Sequence, residues 1–195
     1  MFHPADSMNQ ATHEPDTTPA ATWRAWVRPV LIALIAVVLN IIAYLIIPPD
    51  LARRLGALGY LGVFLITLIS NATIVIPIPY FGLVAALAPG LNIAGVGIAG
   101  ALGSVIGESA GFAVGRSGRG ALANTRFYRW VQRQLEHPWR AFAVLFLLSA
   151  PPNPAFDIAG VTAGAMGLPF WLFATAVFLA RLVRFSVIAL LGGAT

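Results

Sequence analysis

The sequence predicts an all-α integral membrane protein, built as an inverted repeat of a re-entrant helical hairpin plus a transmembrane helix and preceded by one N-terminal transmembrane helix. Two observations predict this class. Hydrophobic residues make up 58% of the chain and charged residues only 10%, whereas an average soluble domain carries about 25% charged residues. Prolines also break two of the apolar stretches, and the order of segments around each break is the same.

Charge and cysteine content exclude several classes of function. The basic groups behind the net charge of +5 are all arginine, and half of the 12 arginines lie in one connecting loop. This distribution favours membrane topology and anionic headgroups over nucleic acid, so we expect no nucleic-acid partner. The chain has no lysine for a Schiff base and no cysteine for disulfides or thiolate chemistry.

The first element is an N-terminal anchor. Residues 1–22 are rich in Pro, Thr and Ala without apolar periodicity, which predicts a disordered tail. We interpret residues 23–195 as a single membrane domain whose first span is 30–47, an apolar stretch interrupted only by Asn40. Prolines end that stretch and no small-residue cleavage pattern follows, so we interpret it as a retained helix.

Repeat one covers residues 58–115. Its uncharged stretch is too long for one helix, and Pro77 and Pro79 break it. The segment after the break, 80–88, spans about 14 Å at 1.5 Å per residue, roughly half of the ~30 Å hydrocarbon thickness. We therefore predict a re-entrant hairpin with its elbow at these prolines, and then a full span at 92–115.

Repeat two covers residues 141–191 and has the same order of short segment, proline break, short segment and full span. Its elbow is formed by Pro151, Pro152, Asn153 and Pro154. Consecutive units that each cross the membrane once must have opposite orientations, which is the inverted-repeat arrangement of many transporters. We therefore predict that both elbows lie near mid-membrane and open toward opposite sides.

The loop 116–140 determines the predicted orientation. It holds six arginines against one glutamate, so we predict that it is cytoplasmic, with the N-terminus on the same side. Arg126, Arg129 and Arg133 alternate with apolar residues at helical spacing, as expected of a helix in the headgroup layer. These arginines are candidates for lipid headgroup contact, and simple positive-inside anchoring is the alternative.

Four charged residues lie deep in the apolar segments: Glu108, Asp157, Arg181 and Arg184. An ionised side chain at bilayer depth costs about 3 kcal/mol on insertion scales, so we expect the acids and the arginines to converge. In particular, we predict that Asp157 pairs with Arg181 and Arg184 until an anionic headgroup takes its place. A structural ion-pair clamp is the alternative to a binding site for a charged cargo or a proton.

Polar and glycine positions complete the candidate site. Asn71 and Asn153 are expected to satisfy part of the backbone that the prolines leave unpaired. Glycines at a strict four-residue spacing mark one face of the 92–115 span, namely Gly103, Gly107, Gly111 and Gly115. Such a face lets another helix approach closely, either within the chain or in a homodimer.

The stretches GALGSVIGESAGFAVGRSGRG, PPNPAFDIAGVTAGAMGLPFWLF and LARLVRFSVIAL resemble the DedA superfamily of bacterial membrane proteins, also called VTT-domain proteins, and most of all its short YqaA-type branch. The resemblance extends from Gly59 to Leu191. It implies two facing re-entrant loops, a bacterial-type inner (plasma) membrane, and movement of lipids or lipid-linked phosphates across the bilayer. Anionic phospholipid and polyprenyl phosphate are the implied partners, and some members couple this movement to the proton gradient.

The resemblance also assigns residues. Those that match polar and proline positions of the family are Pro77, Pro79, Glu108, Arg116, Asp157, Arg181 and Arg184. Asn71 and Tyr80 stand where many relatives have acids, and the arginine often found before the second elbow is absent from LFLLSAPPNP. These departures argue against proton coupling and shift the expected phosphate binding toward the arginines of the last span.

Catalysis is not expected from this sequence. His137 is the only histidine outside the tail and no second ligand lies at usable spacing, so we expect neither an enzyme nor a metal site or cofactor. The remaining alternative to transport is a structural or membrane-homeostasis adaptor without transport activity. Leaflet equilibration of a labelled phospholipid in liposomes distinguishes a transporter from an adaptor.

Overall fold

The computed structural model describes residues 19–48, 51–72, 79–118, 126–151 and 155–194. Within these ranges the regular structure is helical, without a strand, which confirms the all-α fold class. The helices are α1 (Pro19–Ile46), α2 (Leu51–Leu55), α3 (Leu58–Ala72), α4 (Tyr80–Leu87), α5 (Ile93–Ser117), α6 (Arg126–Leu135), α7 (Pro138–Ser149), α8 (Ala155–Ala165) and α9 (Phe170–Leu191). In the described chain, α5 and α9 are long and apolar enough to cross a membrane.

The chain divides into two compact units, Met1–Ile35 and Ala36–Thr195, with the boundary inside α1. Residues 19–22 of the first unit are helical, which corrects the last part of the predicted tail; residues 1–18 lie outside the described ranges. Most large apolar side chains of α1 are exposed. An apolar helix with this exposure is typical of a segment surrounded by lipid.

Proline, asparagine and glycine residues fix several helix ends. α1 ends before Pro48, which cannot continue the hydrogen-bond ladder of a helix. Asn92 caps α5, since its side-chain oxygen accepts the N–H of Ala94 at 2.9 Å. Pro138 begins α7 at a position where a missing N–H leaves no hydrogen bond unmade. Gly167, with φ of +72°, follows α8 and turns the chain toward α9.

Apart from the short arginine-containing helices α2 and α6, four helices of the described chain are too short to cross a membrane alone. Helices α3, α4, α7 and α8 contain 15, 8, 12 and 11 residues. At 1.5 Å per residue each is about 12–23 Å long, against a ~30 Å hydrocarbon core. They form two successive pairs, and a long helix follows each pair. This order agrees with the predicted repeat, whose re-entrant geometry stays a prediction.

The prolines of the predicted elbows fall partly within the described chain. Pro79 directly precedes α4, and Pro151 lies after α7. Outside the described ranges lie Pro77, Pro152, Asn153 and Pro154. The residues on either side of each break are therefore the ones that can be compared with the prediction.

Helix α5 is central to the second unit, where it packs along α3, α8 and α9. Helix α8 packs mainly on α5, and α4 packs on α9 as well as on α3. Each of these short helices thus contacts the long helix of the other half. The two halves are interleaved, so charged groups on α5 and α9 are brought together in the interior.

The glycine face of α5 is used inside the chain. A Cβ atom at Gly103 or Gly107 would overlap the backbone of α3, and one at Gly115 would overlap the backbone of Val161 in α8. Gly164 of α8 approaches the backbone of Phe112 in the same way. Helices α3 and α8 therefore occupy the face that the sequence offered either to a neighbouring helix or to a second copy.

Candidate functional site

A buried ion pair joins the two long helices. Arg181 of α9 donates through Nη2 to Oε1 of Glu108 in α5. Arg181 is 4% exposed and Glu108 is 8% exposed. The guanidinium carbon of Arg181 also lies 5.3 Å from the centre of the Phe156 ring in α8, where a cation is attracted to the aromatic face. The pair explains how two charges are tolerated between apolar helices.

The hydrogen-bonding capacity of this pair is not fully used within the described chain. Glu108 Oε2 and Arg181 Nε are both buried and lack a hydrogen-bond partner among the described residues. Leaving such an atom unpaired costs about 1–3 kcal/mol, and more for a charged group. Buried polar atoms of this kind are usually satisfied by water or a ligand.

A small cavity with both polar and apolar lining residues lies beside Glu108. Its volume is about 20 Å³, and it is lined by Asn71, Glu108, Gly111, Phe156, Asp157, Gly160 and Val161. A site needs about 10–15 Å³ on this measure to hold one water molecule. The cavity is therefore large enough for a water molecule but too small for a phosphate group, whose four oxygens each need comparable room.

Asn71 ties α3 to α5 at the edge of this cavity. Its amide nitrogen donates to the carbonyl of Thr67 at 2.6 Å and to the hydroxyl of Ser104 at 3.1 Å. These two donations orient the side chain, so its amide oxygen is the atom left for the cavity. The prediction that Asn71 contributes to the polar site is consistent with this position, although the backbone it satisfies is within its own helix.

Asp157 does not pair as predicted. Within the described chain it forms neither an ion pair nor a hydrogen bond with Arg181 or Arg184, and its side chain is exposed at the cavity. Glu108, and not Asp157, is the acid that pairs with Arg181, because α5 and α9 pack along each other and bring their charged groups together. Asp157 lies in the first turn of α8, where the helix dipole favours a negative charge.

Arg184 binds backbone carbonyls rather than a carboxylate in the described chain. Its Nε donates to the carbonyl of Ala150 at 2.7 Å, and its Nη2 donates to the carbonyls of Ser149 and Pro151. Its Nη1 donates to the hydroxyl of Tyr80 at 3.1 Å. The last carbonyls of a helix have no partner within it, so Arg184 closes the end of α7. The prediction that Arg184 pairs with Asp157 is wrong.

Sequence reasoning missed Tyr80 and the end of α7 as parts of this cluster. The prolines after α7 were a usable signal, since they free carbonyl groups that need a strong donor. The missing arginine before the second elbow was a second signal. Arg184 supplies a guanidinium to that region from α9.

The arginines of α6 face outward. Arg126, Arg129 and Arg133 are exposed, whereas Val131 and Leu135 on the opposite side of the helix are buried. The apolar side of α6 packs into the protein core, which leaves the arginines on the outer side, and their contact with lipid headgroups stays a prediction. Arg116, at the end of α5, donates to the carbonyl of Leu168 at 3.3 Å and so links α5 to the α8–α9 connection.

Two long apolar helices that bury an ion pair between them, with shorter apolar helices around them, form a pattern that is typical of membrane proteins. Residues 76–194 match the family model described as the VTT domain. The match covers more than half of the chain, which therefore belongs to the VTT-domain family, part of the DedA superfamily. The assignment to the short YqaA-type branch rests on the sequence resemblance alone.

A relative of this chain is the Arabidopsis thaliana protein described as "Vacuole membrane protein KMS1". The two are 38% identical over 72 residues, which are 37% of this chain and 16% of the relative. The chain thus matches a small part of that protein's length. No solved structure matches this chain significantly.

Proposed function

We propose that this protein moves lipids or lipid-linked phosphates across the bilayer, as a transporter or a scramblase-like protein. The observation that supports the proposal is the Arg181–Glu108 pair, which is buried, incompletely hydrogen-bonded within the described chain, and adjacent to a small cavity that Asn71 and Asp157 also line. A guanidinium binds phosphate oxygens as well as it binds a carboxylate, often through two parallel hydrogen bonds. Glu108 thus occupies the position of an anionic headgroup in the resting protein.

The proposed cargo site must enlarge before it binds a phosphate. The cavity of about 20 Å³ lies between α3, α5 and α8. Movement of α8 away from α5 is the simplest way to widen it, because glycines make that contact backbone to backbone and leave no interlocking side chains at Gly115 and Gly164. In this widened state the phosphate replaces Glu108 on Arg181, and Asp157 lies at the entrance.

We further propose that α3–α4 and α7–α8 are the two re-entrant hairpins. Their lengths and the interleaved packing of α8 on α5 and α4 on α9 support this arrangement. The exposed arginines of α6 would then contact anionic headgroups on the cytoplasmic side of a plasma membrane. The proposed cargo is an anionic phospholipid or a polyprenyl phosphate. Its movement across the bilayer involves no covalent step.

The test is leaflet equilibration in liposomes that contain the purified protein. A fluorescent anionic phospholipid placed in both leaflets is bleached from outside by an impermeant reductant. A transporter exposes the inner pool, so fluorescence falls below the level of protein-free liposomes. Fluorescence that stays at the protein-free level for phospholipid, together with no movement of a polyprenyl phosphate, would contradict the proposal and favour the adaptor alternative.

A further inference from the structure

We propose that Arg184 and Tyr80 couple the residues beside the two helix breaks, namely the start of α4 after the first break and the end of α7 before the second, so that neither helix end moves independently of the other. Such coupling affects the motion of the protein whatever cargo the protein moves. It starts from one side chain on α9 that contacts the residues next to both breaks.

Arg184 holds the end of α7, which lies beside the second break. Three consecutive carbonyls at the end of α7, those of Ser149, Ala150 and Pro151, accept hydrogen bonds from Arg184. Proline cannot donate the backbone hydrogen bond that would continue a helix, so these carbonyls depend on another donor. Arg184 is 8% exposed, which makes water a poor substitute for it.

Arg184 also holds the start of α4, which lies beside the first break. Tyr80 is the first residue of α4 and follows Pro79 directly. Its hydroxyl accepts from Arg184 Nη1 at 3.1 Å, and it also interacts with Arg181. The neighbouring Phe81 ring lies 5.8 Å from the Arg184 guanidinium carbon and stacks on Tyr80 with a centroid distance of 4.3 Å. The start of α4 is thereby fixed to the same guanidinium.

The planar guanidinium makes the two holds interdependent. Its five N–H donors have a rigid geometry. The four hydrogen bonds that Arg184 donates in the described chain use all three of its nitrogens, Nε, Nη1 and Nη2. If the end of α7 moves, Arg184 must follow and lose Tyr80, or stay and lose the carbonyls. A buried charged donor left without an acceptor is costly, so both breaks are expected to change together.

The experiment measures the accessibility of one break after a change at the other. The chain has no native cysteine, so a single cysteine at Ala155, the first residue of α8, reports on the second break. Its labelling rate by an impermeant thiol reagent is measured in liposomes. The change is Tyr80→Phe, which removes one hydroxyl from the other half of the chain and none of the carbonyl groups that accept from Arg184.

A matched control is Tyr60→Phe. The Tyr60 hydroxyl accepts the N–H of Asn92 at 2.9 Å and belongs to the same half as Tyr80, but it has no described contact with Arg184. Coupling predicts that Tyr80→Phe raises the labelling rate at position 155 several-fold and that Tyr60→Phe does not. Equal rates in the two variants would overturn the coupling.

The reciprocal measurement uses a cysteine at Ala72, the last residue of α3, with Arg184→Lys. Lysine keeps the charge but cannot reach several carbonyls and Tyr80 together. We expect faster labelling at position 72 as well as at position 155. A rate at position 72 that does not change would show that Arg184 only caps α7. If this variant does not fold, the Tyr80→Phe comparison still decides, and none of these readouts requires lipid transport.

Discussion

At the residue scale, Glu108 and Asp157 are both acids in apolar helices, but their surroundings differ. Glu108 is buried against Arg181, and Asp157 is exposed at the start of α8. Removing one partner of a buried pair strands the other charge, whereas removing an exposed carboxylate strands nothing. The two acids therefore have different expected effects on stability.

We predict that Glu108→Gln destabilises the protein by about 3–5 kcal/mol, the usual cost of breaking a buried pair. Asp157→Asn is expected to cost about 1 kcal/mol or less, mainly through the lost interaction with the helix dipole. Thermal unfolding in detergent measures both variants under the same conditions. An Asp157→Asn variant as unstable as Glu108→Gln would contradict the observed pairing.

The sequence determined that charges meet in the interior, but not which acid pairs with Arg181. Insertion cost predicts that buried charges find partners, and it applies equally to Glu108 and Asp157. The choice depends on the packing of α5 along α9, which no local pattern specifies. Arg184 was assigned to the same charge cluster for the same reason, although its acceptors are backbone carbonyls.

At the scale of helices, the glycines of α5 have different neighbours. A Cβ atom at Gly107 would overlap backbone atoms of α3, whereas one at Gly111 would lie 3.8 Å from Val161 Cγ2, an ordinary contact. The two positions are one helical turn apart on the same face. They provide a matched pair for testing how closely α3 packs on α5.

We predict that Gly107→Ala destabilises the protein by about 1–3 kcal/mol, because the extra methyl group forces two backbones apart. Gly111→Ala should destabilise the protein less, because its methyl group meets no backbone and the higher helix propensity of alanine stabilises the helix by about 1 kcal/mol. Thermal unfolding of both variants in detergent is the measurement. Equal destabilisation of the two would mean that the α3–α5 contact is looser than described.

Helix α6 gives a prediction about lipid binding. Replacing Arg126, Arg129 and Arg133 by Gln removes about 1 kcal/mol per arginine near the membrane surface, so the affinity for anionic lipid should fall by up to ~100-fold. Native mass spectrometry of the detergent-purified protein measures the retained lipid, with a zwitterionic lipid as the control. Transport per inserted molecule should fall only modestly. Complete loss in a correctly inserted variant would instead make α6 a gate.

Helix positions were the part of the structure that the sequence predicted best. The span predicted at 92–115 corresponds to α5, and the segment predicted at 80–88 corresponds to α4. Proline and glycine interrupt helices through local backbone chemistry, so these bounds can be read without tertiary information. The four-residue spacing of glycines in α5 predicted close packing but not which helix packs there. Helices α3 and α8 and a helix of a second copy could all pack against such a face.

At the scale of the whole molecule, the inverted repeat predicts that the two elbows open toward opposite sides of the membrane. Single cysteines at Ile78 and Asn153, both outside the described ranges, test this orientation. An impermeant thiol reagent should label one from the outside and the other only in inverted vesicles. Labelling of both from the same side alone would contradict the inverted repeat.

In the proposed function, Arg181 binds an anionic cargo and Glu108 occupies the place of that cargo in the resting protein. The most direct measurement compares stability in detergent with leaflet equilibration in liposomes for the double variant Glu108→Gln, Arg181→Gln. Thr175→Ala, at an exposed position of α9, is the control for substitution in this helix. Because no charge is stranded, the double variant should regain most of the stability that Glu108→Gln loses.

If Arg181 binds the cargo, this stable double variant does not equilibrate anionic lipid, while Thr175→Ala does so at the rate of the unchanged protein. A double variant that is both stable and fully active would contradict a cargo-binding role of Arg181. The Arg181–Glu108 pair would then be a structural clamp between α5 and α9.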